Sequence, residues 1–319
     1  MSDEETGGKK VGAAPVRPGE GRDGHGAEAR RGAQATGRAG ARRGSVRVTL
    51  LIDNERGSPG LRAQWGLAIW VETGGPSVLL DSGANDAFWR NALKLGIPLE
   101  TADAFVLSHG HGDHGGGLAR VLEVAPAAGI VLHPAALAPR LWLARTGKVE
   151  PIGLPDRVLT ALWASHTRLV WALGPLEVAP GVWASGPIPR RHPLEEAERN
   201  FFLDRACTVR DHVVDDQAVW VEAASGLVVL LGCAHAGVVN TLDHVRRVAG
   251  GAQAEGGDAL PLAGDGLPRV AAVIGGMHLL HASPARLVAT GDALEAAGVR
   301  LVAPVHCTGK RGKDHLRER

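Results

Sequence analysis

Residues 108–117 read Ser108-His109-Gly110-His111-Gly112-Asp113-His114-Gly115-Gly116-Gly117, with three imidazoles and a carboxylate between positions 109 and 114. Imidazole and carboxylate are the donor types of zinc sites, and imidazole also suits iron. The glycines remove side-chain bulk and let the backbone turn sharply enough to present ligands. In an extended segment His109 and His111 share a face, whereas the adjacent Asp113 and His114 point differently. A single tetrahedral ion struggles to collect all four groups, while two neighbouring ions can share them.

Outward from this loop, the remaining polar chemistry falls just past apolar runs. Asp81 follows the run 77–80, His235 follows 226–232 in Gly232-Cys233-Ala234-His235, His278 follows 270–275, and His306 follows 300–305. Polar residues at consecutive strand ends, next to glycines, are what a site on one edge of a sheet produces.

The runs alternate with helical patterns. Strands are expected at 46–53, 67–72, 77–81, 104–108 and 130–133, with a helix capped by Asn85 and closed by Gly96 and another near 118–124. The second half repeats the order. A strand pair lies at 217–222 and 226–232, a helix at about 238–248 and a strand at 270–275. A helix opened by Ser283-Pro284 runs to about Ala297, and the strand 300–305 comes last. Two halves of this kind predict two sheets packed face to face with helices outside.

Residues 1–44 carry almost no large apolar side chains and are expected to form a disordered tail. The folded domain is expected over 45–312, with a lid or insertion at about 135–200 and a charged C-terminal tail at 313–319. The segment 135–200 lacks clear periodicity and is rich in Pro, Arg and Trp, as segments that wall a substrate site often are.

The 319 residues are 45% hydrophobic and 22% charged, enough for one large or two ordinary domains. A net charge of +1 gives no electrostatic case for nucleic acid or an anionic membrane. Three cysteines, Cys207, Cys233 and Cys307, form no CxxC pair and fit a reducing, cytoplasmic compartment. No apolar run approaches the roughly 18–20 residues of a membrane span. The sequence carries no signal for an oligomeric state.

The His-Gly-His-Gly-Asp-His loop resembles the HxHxDH signature of the metallo-β-lactamase superfamily. A wider set of motifs resembles one branch of it, the dihydropterin-ribofuranosylaminobenzene-phosphate synthase-like group. Those motifs are Leu51-Ile52-Asp53-Asn54, Gly66-Leu67-Ala68, Leu80-Asp81-Ser82-Gly83, Leu107 to Gly117, Gly186-Pro187-Ile188-Pro189-Arg190, Asp215-Asp216-Gln217-Ala218, Gly232 to Asn240, Gly275 to Leu279 and Pro304 to Gly309. Together they span about residues 47–310.

The resemblance implies an α/β, four-layer αββα sandwich with a dinuclear metal site. His109, His111 and His235 would hold the first ion, and Asp113, His114 and His306 the second. Zinc is the first choice, with iron or manganese as alternatives. The implied chemistry is hydrolysis of an ester, lactone or phosphoester-type small molecule by an activated hydroxide. Asp113 is expected to orient the nucleophile. His278 stands where many relatives place a bridging aspartate, and is read as a proton donor, substrate contact or ligand. Asp81 is expected to hold a ligand imidazole from behind, and Arg190 to clamp an anionic substrate. Gly112, Ala234, Met277 and Trp65 depart from the branch pattern without touching the expected ligands. Three alternatives stand beside this reading: a pterin-related synthase using the same site, a thiol enzyme using Cys233 or Cys307, and a binding protein that keeps metals without turnover.

Overall fold

The computed structural model describes residues 45–254 and 259–319. In chain order the elements are β1 (Arg47–Ile52), β2 (Ala68–Glu72), β3 (Ser77–Leu80), α1 (Ala87–Leu95), β4 (Ala104–Val106), α2 (Gly112–Gly115), α3 (Leu118–Val124), β5 (Gly129–Leu132), β6 (Leu141–Leu143), β7 (Val149–Pro151) and α4 (Asp156–Ala164). They continue as β8 (Leu169–Trp171), β9 (Leu176–Ala179), β10 (Val182–Ala184), β11 (Phe201–Phe202), β12 (Ala218–Ala223), β13 (Gly226–Leu231), α5 (Val238–Ala254), β14 (Val270–Gly276), α6 (Pro284–Ala296), β15 (Leu301–Val305) and α7 (Gly309–Arg317).

Two six-stranded sheets result, ordered β1-β2-β3-β4-β5-β8 and β15-β14-β13-β12-β10-β9. The alternation of side chains along each strand explains why they stack. In β2, Ala68 and Trp70 join the core beneath α1, α3 and α4, while Ile69 and Val71 face the other sheet. In β13, Leu227, Val229 and Leu231 pack under α5 and α6, while Val228 and Leu230 enter the layer between the sheets. Strands buried on both faces give three apolar layers between four layers of structure, the αββα order expected from the two halves.

In the first sheet β3, β4, β5 and β8 run parallel; in the second β13, β14 and β15 do. The ligand-type residues follow the carboxyl ends of these parallel strands, which is where an open α/β sheet forms its crevice. Among the described residues no helix is long and apolar enough to cross a membrane.

Three expectations need correction. The segment 135–200 is not one lid. Its middle part supplies α4 and β8 to the first half and β9 and β10 to the second sheet. These strands have only three or four residues, too few to show a period in sequence. Only the parts around a small third sheet, β11-β6-β7, lie over the site. The charged segment 313–319 is not a free tail, since α7 runs to Arg317 and Leu316 packs on the second core. Arg319 pairs there with Asp292 and Glu295. The N-cap of α1 is Asp86, although Asn85 Oδ1 still accepts the Ala87 N–H at 3.0 Å. The tail expected at 1–44 lies outside the described residues.

Candidate metal centre

The His loop turns where β4 ends and runs into α2 and α3. A Cβ at Gly110 would lie 2.2 Å from the Ala136 carbonyl oxygen, so only glycine lets the loop sit against the turn after β5. Across the crevice, a Cβ at Gly232 would lie 2.1 Å from Ser108 Oγ, so glycine is also needed where the second sheet approaches.

Four non-glycine residues around the crevice take left-handed backbone: Asp81 (φ 59°), Ala234 (φ 54°), His278 (φ 49°) and His306 (φ 51°). Each such residue costs roughly 1–2 kcal/mol. Strain of this kind concentrates at functional sites, where surrounding contacts over-determine it.

His109, His111 and His235 form one group, with ring centroids 4.5, 4.7 and 4.9 Å apart. Ser108 Oγ donates to Asp81 Oδ2 at 2.7 Å and therefore accepts from His109 Nδ1 at 2.9 Å. That places the lone pair of His109 on Nε2, which lies 2.9 Å from His111 Nδ1. His111 Nε2 and both ring nitrogens of His235 are buried without a hydrogen-bond partner. Burial holds all three rings well below the ordinary histidine range, so they stay neutral and keep lone pairs to offer.

Asp113, His114 and His306 form a second group. Asp81 Oδ2 engages His114 Nδ1 at 2.6 Å, and Asn54 Oδ1 engages His306 Nδ1 at 3.0 Å. Both rings thus turn Nε2 inward, and the two Nε2 atoms face each other at 3.2 Å. Asp113 Oδ2 lies 3.7 Å from one and 3.4 Å from the other. Two lone pairs and a carboxylate at this spacing require a positive charge among them. Burial pushes His114 down, but the Asp113 and Asp81 carboxylates outweigh it and hold the ring up at about 9. Burial likewise opposes ionisation of Asp113, yet His114 and His306 keep its carboxyl well below the usual carboxylate range. A proton here occupies the place a cation would take, so the donor sets of both groups fit a metal.

All the histidines and both aspartates singled out from sequence converge on this crevice, except that Arg190 turns away. Its guanidinium donates to the carbonyls of His235 and His212, and it does not line the cavity. It ties the ligand loop to the neighbouring segment rather than facing a substrate. His278 lies at the rim, with Nε2 2.7 Å from Glu198 Oε1 and its ring 4.4 Å from that of His235. Burial lowers His278, but the neighbouring Cys307 sulfur and Glu198 carboxylate prevail and raise it to about 9.

Sequence reasoning assigned no role to Asp215-Asp216-Gln217, which clamps both ligand loops. Asp215 Oδ2 accepts the Gly110 N–H at 2.7 Å, between His109 and His111. Buried Arg140 holds Asp215 at 2.5 Å and Asp211 at 2.9 Å. Asp216 Oδ2 accepts the Ala236 N–H at 2.7 Å, beside His235, and Gln217 Nε2 donates to the Leu107 carbonyl at 2.8 Å. The available signal was three polar residues directly ahead of an apolar strand.

A cavity of about 640 Å³ opens onto the two groups. Trp65, Trp142, Phe201 and His281 wall it, and the guanidinium groups of Arg145 and Arg286 bring positive charge to it. Nε and Nη2 of Arg286 are buried without a partner.

The family model described as the Metallo-beta-lactamase superfamily matches residues 66–228. The chain is 27% identical over 239 residues to the 7,8-dihydropterin-6-methyl-4-(beta-D-ribofuranosyl)-aminobenzene-5'-phosphate synthase of Methanocaldococcus jannaschii, covering 72% of this chain and 74% of that one. It is also 27% identical over 263 residues to an uncharacterized protein of the same archaeon, covering 82% and 90%. Among solved structures it is similar to Tm1679, a metal-dependent hydrolase of the beta-lactamase superfamily, with a TM-score of 0.66 and 27% identity over 86% of this chain and 93% of that one.

Proposed function

The chain belongs to the metallo-beta-lactamase superfamily, and from that premise we propose that it is a metal-dependent hydrolase of a small anionic ester, lactone or phosphoester. The observation that carries the reading is the pair of inward-facing Nε2 atoms of His114 and His306, 3.2 Å apart beside the Asp113 carboxylate. His109, His111 and His235 would hold a first divalent ion, and Asp113, His114 and His306 a second, with zinc ahead of iron or manganese. When bound, such ions make water a nucleophile at neutral pH and polarise the oxygen of the electrophile.

The chain's own residues do the rest. Asp81, Ser108 and Asn54 hold three ligand rings by their outer nitrogens, fixing tautomer and direction. Asp113, half-turned to the cavity, orients the attacking water. His278 carries a proton at neutral pH and faces the cavity, placing it to protonate a leaving oxygen. Arg286, with two unpaired donors, takes over the anion-binding role first expected of Arg190. Trp65, Trp142 and Phe201 supply flat apolar walls. Unpaired cysteines fit a cytoplasmic protein.

The test is metal analysis of the purified chain followed by a screen of lactones, phosphomonoesters, phosphodiesters and thioesters. Close to two ions per chain with chelator-sensitive turnover of one class supports the reading, and a metal-free active protein overturns it. The synthase relative from Methanocaldococcus jannaschii favours a second reading, a condensation in the same site. Product formation from a dihydropterin pyrophosphate and a phosphorylated aminobenzene riboside, without hydrolysis in the screen, selects it.

A further inference from the structure

The rings of His109, His114 and His306 share one arrangement, in which one nitrogen engages an outer partner and the other turns inward. His278 repeats it. Its Nε2 lies 2.7 Å from Glu198 Oε1, and its Nδ1 is buried with no partner. The side chains beside it are the two buried thiols that the metal centre leaves unused. The donor atoms of Cys233, His278 and Cys307 all lie within 4.8 Å of one another. Cys307 Sγ accepts the His278 N–H at 3.3 Å and approaches the Cys233 carbonyl at 3.5 Å, which holds the two loops together. Both cysteines line the cavity, so an ion entering it reaches them.

We propose that Cys233, His278 and Cys307 form a further cation site, for a thiophilic ion, beside the two imidazole–carboxylate groups. Two sulfurs and one imidazole select cadmium or copper(I), ions softer than the zinc of the two imidazole–carboxylate groups. Binding forms two metal–sulfur bonds and one metal–nitrogen bond, and the protons of both thiols and of Nδ1 pass to solvent. Glu198 serves this ring as Asp81 serves His114, accepting from the far nitrogen and fixing the ring's direction. Cys233 Sγ also lies 3.1 Å from His114 Nε2, so the new site borders the second group directly. An occupant removes His278 from proton transfer, so a thiophilic ion inhibits turnover by occupying this site rather than by displacing the catalytic pair.

The full chain, loaded with two equivalents of zinc and with thiols reduced, is titrated with cadmium chloride. The readouts are cadmium and zinc content after gel filtration and the ultraviolet thiolate-to-cadmium charge-transfer band. Expected are one added cadmium per chain without loss of zinc, a charge-transfer band, and loss of that band in both Cys233→Ser and Cys307→Ser. Absence of the band in the unmodified chain overturns the proposal whatever the variants do. Cadmium uptake only by exchange for zinc also overturns it. A band lost in Cys233→Ser but retained in Cys307→Ser makes Cys233 a ligand of the second group alone, and overturns it too.

Discussion

Asp81 Oδ2 lies 2.6 Å from His114 Nδ1, and neither side chain is exposed to solvent. The same carboxylate also accepts from the hydroxyl and the backbone N–H of Ser108, so one buried acid orients a ring in each ligand group. Asparagine at position 81 keeps the shape but offers one acceptor where three bonds arrive. Replacing a group that holds a ligand from behind costs about 10- to 100-fold in metal affinity. Asp81→Asn is therefore expected to weaken metal binding by that factor in chelator competition, with its circular dichroism spectrum retained.

Removing metal should destabilise the chain, because the Nε2 atoms of His114 and His306 then face each other with only a proton between them. A ligand at one hundred times its dissociation constant stabilises the folded state by about 2.7 kcal/mol. Thermal denaturation with and without a chelator should show a lower Tm in the chelated sample, restored by added zinc. An unchanged Tm would count against the site.

Arg140 is buried and divides its guanidinium between Asp211 and Asp215, the latter holding the Gly110 N–H. Breaking a buried ion pair from one side costs about 3–5 kcal/mol, since the partner charge stays buried. Arg140→Met should lose stability of that order in urea unfolding. The triple change Arg140→Met, Asp211→Leu and Asp215→Asn should recover part of it, because the stranded charges go with it.

Arg286 and Arg190 should behave oppositely. Arg286→Met is expected to raise KM for anionic substrates and leave neutral ones of similar shape little changed, since its Nε and Nη2 are unpaired there. Arg190→Met should lower stability by about 1–3 kcal/mol by stranding the carbonyls of His235 and His212, and should not discriminate by substrate charge. Steady-state kinetics on a matched charged and neutral pair, beside urea unfolding, separates the two.

Much of the fold was legible because its signals are local. Mostly apolar runs of three to seven residues, followed closely by glycine and a polar residue, mark β3, β4, β13, β14 and β15 without any long-range information. What stayed hidden was short or shared between distant segments. The strands β8, β9 and β10 are each under five residues and lie at or next to a sheet edge, so 135–200 read as one irregular insertion. The helix α7 is held by Leu316 and by the ion pairs of Arg319, none of which a charged C-terminus advertises.

By itself the sequence determined the layered α/β class and pointed to His109, His111, Asp113, His114, His235 and His306 as candidate donors, because donor types and strand ends are written in consecutive residues. Only the tertiary structure decided what stands behind and around them: Asp81 on His114, Asn54 on His306, Asp215 on Gly110, Arg190 on His235 rather than on substrate, and His278 beside two thiols. Those pairs join residues many positions apart, Asn54 and His306 by 252. Their geometry follows from strand register and from how two sheets close on one another, and no local run of residues contains it.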